Sequence, residues 1–219
     1  PVRITVSMAR GLAQNLVTQA RITTPEQLKG VSWALDGFGA LSHHMARLLV
    51  KSLNIAESDI GWQAVGPPPE RIDRLLADTI DVSLIRVEEA IALTTDGSNS
   101  LHTLLGFAEL KDLVPLQPHG VLATTEAYEQ THEEELTRLA RGMIRASRAL
   151  HDDFDNFRKV YDHHVTVSAP DEAVRTIWEQ ERATHGFAIN GELTNSHWMK
   201  QMASFYELNP ELPRITRAD

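Results

Sequence analysis

Between residues 31 and 85 the chain alternates short apolar runs with amphipathic stretches, and that alternation restricts the fold more than any other feature. The run "VSWAL" at 31–35 is too short for a buried helix and reads as a buried strand. Leu41, Met45, Leu48, Leu49 and Leu53 then fall at helical spacing, so a helix extends to about Leu53. "WQAV" at 62–65 reads as a second strand, "GPPPE" as a stiff turn opening a helix over about residues 69–77, and "DVSLI" at 81–85 as a third strand. Strands separated by helices cannot pair as hairpins. They lie side by side in parallel, each helix crossing back over the sheet. The expected fold class is therefore α/β with a central, mostly parallel sheet.

The flanks differ in character. Val2, Ile4, Val6 and Met8 alternate with Arg3, Thr5 and Ser7, the period of a half-buried strand. In "TTPEQLKG", Thr24 can cap a short helix with Pro25 at its first position, Gln27 closing a capping box and Gly30 ending it. "LHTLLGF" and "GVLATT" are two further strand candidates. From Glu133 onward the pattern is helical: Leu136, Leu139, Met143, Ile144 and Leu150 make one apolar face, Val174, Ile177 and Trp178 a second, and Trp198, Met199, Met202, Phe205 and Tyr206 a third.

Composition narrows the function. The net charge of -9 opposes nucleic-acid and anionic-membrane partners, because phosphate neutralisation needs a basic face. No apolar run approaches the length of a membrane span. With no cysteine, thiolate nucleophiles, thiolate metal sites and disulfides are impossible. The ten histidines include the adjacent pairs His43–His44 and His163–His164, whose side chains point apart, and no H-E-x-x-H spacing occurs. No G-x-S-x-G elbow, phosphate loop or triad spacing is present either, so neither a metal, nor a cofactor, nor catalysis is expected.

The segment "ITTPEQLKGVSWALDGFGA" resembles a region of ABC-transporter solute-binding proteins of the sulfonate, nitrate and taurine type, a set that overlaps with the thiamine-pyrimidine-synthase-like group. Gln27 stands where that pattern has Asp, Val31 where it has Lys, and "GA" where it has "GS". "LLVKSLNIAESDIGWQAVG", "RIDRLLADTIDVSLI" and "GVLATTEAYEQTHEEELTRLARGMIRA" continue the likeness over most of the chain. The resemblance implies a type II periplasmic-binding-protein fold, two α/β lobes joined by two crossing strands with ligand in the cleft. It implies non-catalytic capture of a small organic anion or heteroaromatic solute, ABC permease subunits as partners, and a periplasmic or extracytoplasmic lipoprotein location. On this reading residues 1–9 are the first hinge-crossing strand, 10–118 the second α/β lobe, 119–125 the return strand, and 126–219 a mainly helical region packing toward the first lobe. The chain then lacks an amino-terminal part. Two alternatives share the scaffold: an enzyme like the one that makes the thiamine pyrimidine precursor, which would require a cleft histidine such as His43 or His44, and a sensory ligand-binding domain.

The candidate site is the stretch "DGFGALSHH" at 36–44. A strand ending at Leu35 leads through Gly37 and Gly39 into a helix whose free N–H groups near Ala40, Leu41 and Ser42 suit an anionic or strongly polar group. The same residues also fit a plain turn capped by Asp36. Phe38 can stack on a ligand or plug the lobe, and His43 can contact ligand or serve only as a surface residue. Arg86, just past "DVSLI", can pair with an anion or with Glu88 and Glu89. Arg138, Arg141, Arg145 and Arg148 form a basic stripe, which reads as a solvated face or as a docking surface for a permease.

Overall fold

A computed structural model describes residues 2–9, 13–95, 97, 99–114, 119–165, 169–183, 186–191 and 195–214. The expected segment 10–118 therefore begins and ends in residues outside the described ones, as does the end of 126–219.

A five-stranded sheet organises the chain. Its strands are β2 (Gln14–Gln19), β3 (Ser32–Leu35), β4 (Gly61–Ala64), β5 (Val82–Arg86) and β6 (Leu101–Leu105), in the order β4-β3-β5-β2-β6. β3 runs parallel to β4, with Trp33 opposite Trp62, and parallel to β5, with Trp33 opposite Val82. β2 is antiparallel to both β5 and β6. The sheet is thus mixed where a mostly parallel one was expected: β3, β4, β5 and β6 run the same way, but the reversed β2 lies between β5 and β6 and makes both of its pairings antiparallel. That strand has no alternating apolar signature because Asn15, Thr18 and Gln19 are buried in it. Each is satisfied at long range or locally: Gln19 donates to the carbonyls of Leu75 (2.6 Å) and Ile80 (3.1 Å), Asn15 accepts from the Phe107 N–H (2.9 Å), and Thr18 donates to the Ile22 carbonyl (3.3 Å). Satisfied polar groups are tolerated in a core that would reject bare ones.

Helices cover both faces. Leu16, Trp33, Leu35, Val82 and Leu84 pack with Leu48 and Leu49 of α1 (Leu41–Ser52) and Leu110 of α4 (Phe107–Leu113). Val17, Ala34 and Ile85, pointing the other way, pack with Leu75 of α2 (Pro68–Leu76) and Ala90 of α3 (Val87–Thr95). The short element at Pro25–Leu28 is a 3-10 turn, with the Gln27 side chain accepting from the Thr24 N–H at 3.1 Å as the capping box requires.

β1 (Val2–Ala9) and β7 (His119–Thr125) form a separate antiparallel pair. A bulge between Ile4 and Val6 interrupts the alternation and separates the exposed Val2 and Ile4 from the buried Val6 and Ser7; Met8 is exposed as well. β7 feeds the long helix α5 (Glu126–Asp152), which is kinked at His132 and followed by α6 (Phe154–His164) and α7 (Asp171–Ala183). Val87 and Phe107, which follow the carboxyl ends of β5 and β6, pack into a third core with Phe154, Tyr161, Val174, Ile177 and Trp178 of α6 and α7. The last helix, α8 (Asn195–Leu208), grouped by the sequence reading with the helices of 126–219, lies on α1: Arg47 donates to the Leu208 carbonyl (2.7 Å) and to Asn209 Oδ1 (3.0 Å), and Leu208 joins the core under α1.

Candidate functional site

Because β3, β4, β5 and β6 run the same way, their following loops gather at one edge of the sheet, where open α/β sheets place ligands. α6 and α7 cover the β5 and β6 half of this edge through Val87 and Phe107. The residues after β3 and β4 remain: Asp36, Phe38, Gly39 and Pro67 are exposed there.

The loop after β3 is closed by side chains from the first turn of α1. The Asp36 N–H donates to Ser42 Oγ (3.0 Å), the Ala40 N–H to the Gly37 carbonyl (3.2 Å), and the Gly39 N–H to His43 Nδ1 (3.0 Å). Ala40 is the N-cap residue and has no side chain able to cap. Among the described residues no acceptor meets the N–H groups of Leu41, Ser42 and His43, which emerge from the positive end of the helix dipole. The two glycines differ. Gly39 has φ of +78°, a conformation that favours glycine; Gly37 has no such φ, and a Cβ on it would meet nothing within 4 Å. Within the described residues, backbone geometry accounts for Gly39 and leaves Gly37 unexplained.

An aromatic series runs from this loop into the core. Phe38, 65% exposed, meets His43 edge-on at 5.5 Å; His43 meets Trp62 edge-on at 5.5 Å; Trp62 meets the buried Trp33 at 5.5 Å. Together with Leu41, 42% exposed, Phe38 gives the loop an apolar wall beside its free donors. His44, one residue on, turns the other way onto Phe205 of α8, with both ring nitrogens buried and unpartnered. Burial holds the pKa of both imidazoles below the ordinary value, with Arg47 adding to the effect.

Beneath the loop lies a residue that the sequence reading missed. Arg71 is 2% exposed; its guanidinium pairs with Asp36 at 2.8 Å and donates to Gly66 O (3.1 Å), Ser83 Oγ (3.0 Å) and Leu84 O (2.7 Å). It ties the loops after β3 and β4 to β5. Burial lowers its pKa, opposed by the charges of Asp36 and Glu89. Its one signal in the sequence is position, four residues before the buried Leu75 on the inward face of α2.

Arg86 is the last residue of β5, on the same edge of the sheet, yet its guanidinium faces Glu88 at 3.7 Å and Glu89 at 3.3 Å. Among the described residues, no hydrogen bond or ion pair joins it to residues 37–43. The proposed stripe on α5 also divides: Arg138 pairs with Glu134 (3.3 Å), Arg148 donates to Ile189 O (2.7 Å) and Asn190 Oδ1 (3.2 Å), and Arg141 and Arg145 are exposed. Among the described residues no three His, Asp or Glu side chains are grouped to hold a metal ion, and no helix is long and apolar enough to cross a membrane.

No protein-family model and no curated protein sequence matches the chain. Solved structures do. The alkanesulfonate-binding protein SsuA from Xanthomonas axonopodis pv. citri, bound to MOPS, superposes with a TM-score of 0.73 at 18% identity, covering 97% of this chain and 70% of that one. The ligand-binding component of an ABC-type import system from Staphylococcus aureus gives 0.70 at 11%, covering 97% and 69%. The periplasmic aliphatic sulphonate binding protein SsuA from Escherichia coli gives 0.65 at 12%, covering 95% and 66%. The chain thus has the fold of the periplasmic binding proteins and spans 66 to 70% of the length of these three.

Proposed function

We propose that the chain is the solute-binding unit of an ABC importer, and that it captures a small organic anion at the amino end of α1 without changing it chemically. The observation that carries this reading is the uncapped first turn of α1, where the N–H groups of Leu41, Ser42 and His43 stand beside the exposed ring of Phe38 and the unexplained Gly37. A sulfonate or carboxylate there gains charge-assisted hydrogen bonds, each of about 1.5–3 kcal/mol, while an attached alkyl chain or ring lies against Phe38 and Leu41. The fold shared with sulfonate-binding proteins supports the assignment, since one of them holds MOPS, an alkanesulfonate that carries a ring at the far end of its chain. Permease subunits are the macromolecular partner on this reading, and the site of action is extracytoplasmic.

Isothermal titration of a series of alkanesulfonates and matching carboxylates tests it, with Gly37→Ala as the control. A methyl group at Gly37 has room in the free protein, so the variant is expected to keep its melting temperature and to lose at least tenfold in affinity. Absence of binding across the series, or equal affinity in the variant, would overturn the assignment, as would recovery of a chemically altered ligand.

A further inference from the structure

The Gly39 N–H is the one donor of the loop that a titratable group already holds. We propose that His43 is a proton-operated gate on the anion site: its neutral ring keeps the Gly39 N–H folded inward, and protonation releases that N–H and sets a positive charge beside it. The inference rests on the reading of α1 as an anion site, and deepens it by naming what regulates it.

The geometry fixes the protonation state of the closed loop. An imidazole that accepts at Nδ1 carries its proton on Nε2. A second proton can go only to Nδ1, which then faces the Gly39 N–H as donor to donor across 3.0 Å. The contact turns from attractive to repulsive, and the positive-φ turn at Gly39 loses the bond that fastens it to α1. The groups acting on the ring are few. Among the described residues, its own helix presents Arg47 and His44, the turn at Glu57–Asp59 presents Glu57, and β4 and the loop present the rings of Trp62 and Phe38. Burial and Arg47 hold the ring neutral, opposed by Glu57. An anion bound at the N–H groups of residues 41–43 adds a negative charge close by and favours the imidazolium. Proton uptake and anion uptake therefore strengthen each other by the same factor, about tenfold for a coupling of ordinary size.

Ethanesulfonate, which stays ionised throughout, is a suitable probe. Nitrogen-15 NMR spectra of the wild-type chain and of His43→Gln are recorded from pH 5 to pH 8, with and without it. The glutamine side chain can accept from the Gly39 N–H but cannot titrate. The expected result is a Gly39 amide signal that moves with the titration of the His43 ring, about tenfold tighter ethanesulfonate binding at pH 5 than at pH 8, and loss of both dependences in His43→Gln. A Gly39 signal that ignores the His43 titration overturns the gate even when the sulfonate binds. A Gly39 signal that follows it while no sulfonate binds at either pH overturns the coupling together with the anion site beneath it.

Discussion

We expect Glu181→Gln to stabilise the fold above neutral pH, with an advantage that shrinks steadily toward pH 4.5. Glu181 lies on α7, which packs on α3, and Glu88 acts on it from the first turn of α3. Burial, then the charge of Glu88, raises the Glu181 carboxyl from 4.5 to about 7. The folded chain thus holds this proton more tightly than the unfolded chain does. Stability associated with the group is fully present below about pH 4.5 and is lost as pH rises toward 7. A displacement of that size corresponds to about 3 kcal/mol, an upper figure for one carboxyl. Glutamine mimics the protonated form and has nothing to lose. Urea unfolding of both proteins at half-unit steps from pH 5 to pH 8 reads the difference directly, with the slope against urea checking that the unfolded states match. The stability gap should open progressively in favour of the variant, by as much as about 3 kcal/mol. Parallel curves across the range would refute the reasoning, because they would mean that Glu181 ionises as freely in the fold as in water.

Two further substitutions probe the surroundings of the loop. His44→Phe should raise stability by about 1 kcal/mol at pH 7, since it removes two buried, unpartnered ring nitrogens while keeping a ring against Phe205. Its advantage should widen below pH 6.5, where the unfolded wild-type histidine takes up a proton more readily than the folded one; a variant less stable than wild type at both pH values contradicts this. Arg71→Met should cost about 3 kcal/mol or more, because it strands buried acceptors at Ser83 and Leu84 and frees Asp36. Amide hydrogen exchange at residues 36–40 should accelerate more than at α1, and unchanged exchange there would show that Arg71 does not hold the loop.

The parts of the fold that could be read in the sequence are those in which burial follows a simple period. β3, α1, β4, α2 and β5 stand close to their expected positions because "VSWAL", the leucines of α1 and "DVSLI" are apolar where they face the core. β2 escaped because its buried residues include Asn15, Thr18 and Gln19, whose partners lie as far away as Leu75 and Phe107 and leave no trace in local pattern. Of the apolar series expected to face inward in β1, only Val6 is buried: a bulge between Ile4 and Val6 breaks the alternation and leaves Val2 and Ile4 exposed. In the candidate site, the glycine loop and the helix start could be read from "DGFGALSHH", and so could the opposed directions of His43 and His44. What could not be read is which donors remain free, because Ser42 and His43 turn back to occupy the N–H groups of Asp36 and Gly39. Arg71 was hidden for a similar reason: a charged residue signals burial only when the groups that satisfy it are known.

The central claim is that an anion sits on the first turn of α1. Titrating the nitrogen-15-labelled chain with ethanesulfonate at constant ionic strength and following every backbone amide tests it most directly. The account predicts saturable shifts that are largest at Leu41, Ser42 and His43, smaller ones at residues 37–39, and their suppression in Gly37→Ala. Saturable shifts centred on any other part of the chain, or no saturable shift at all, would contradict it.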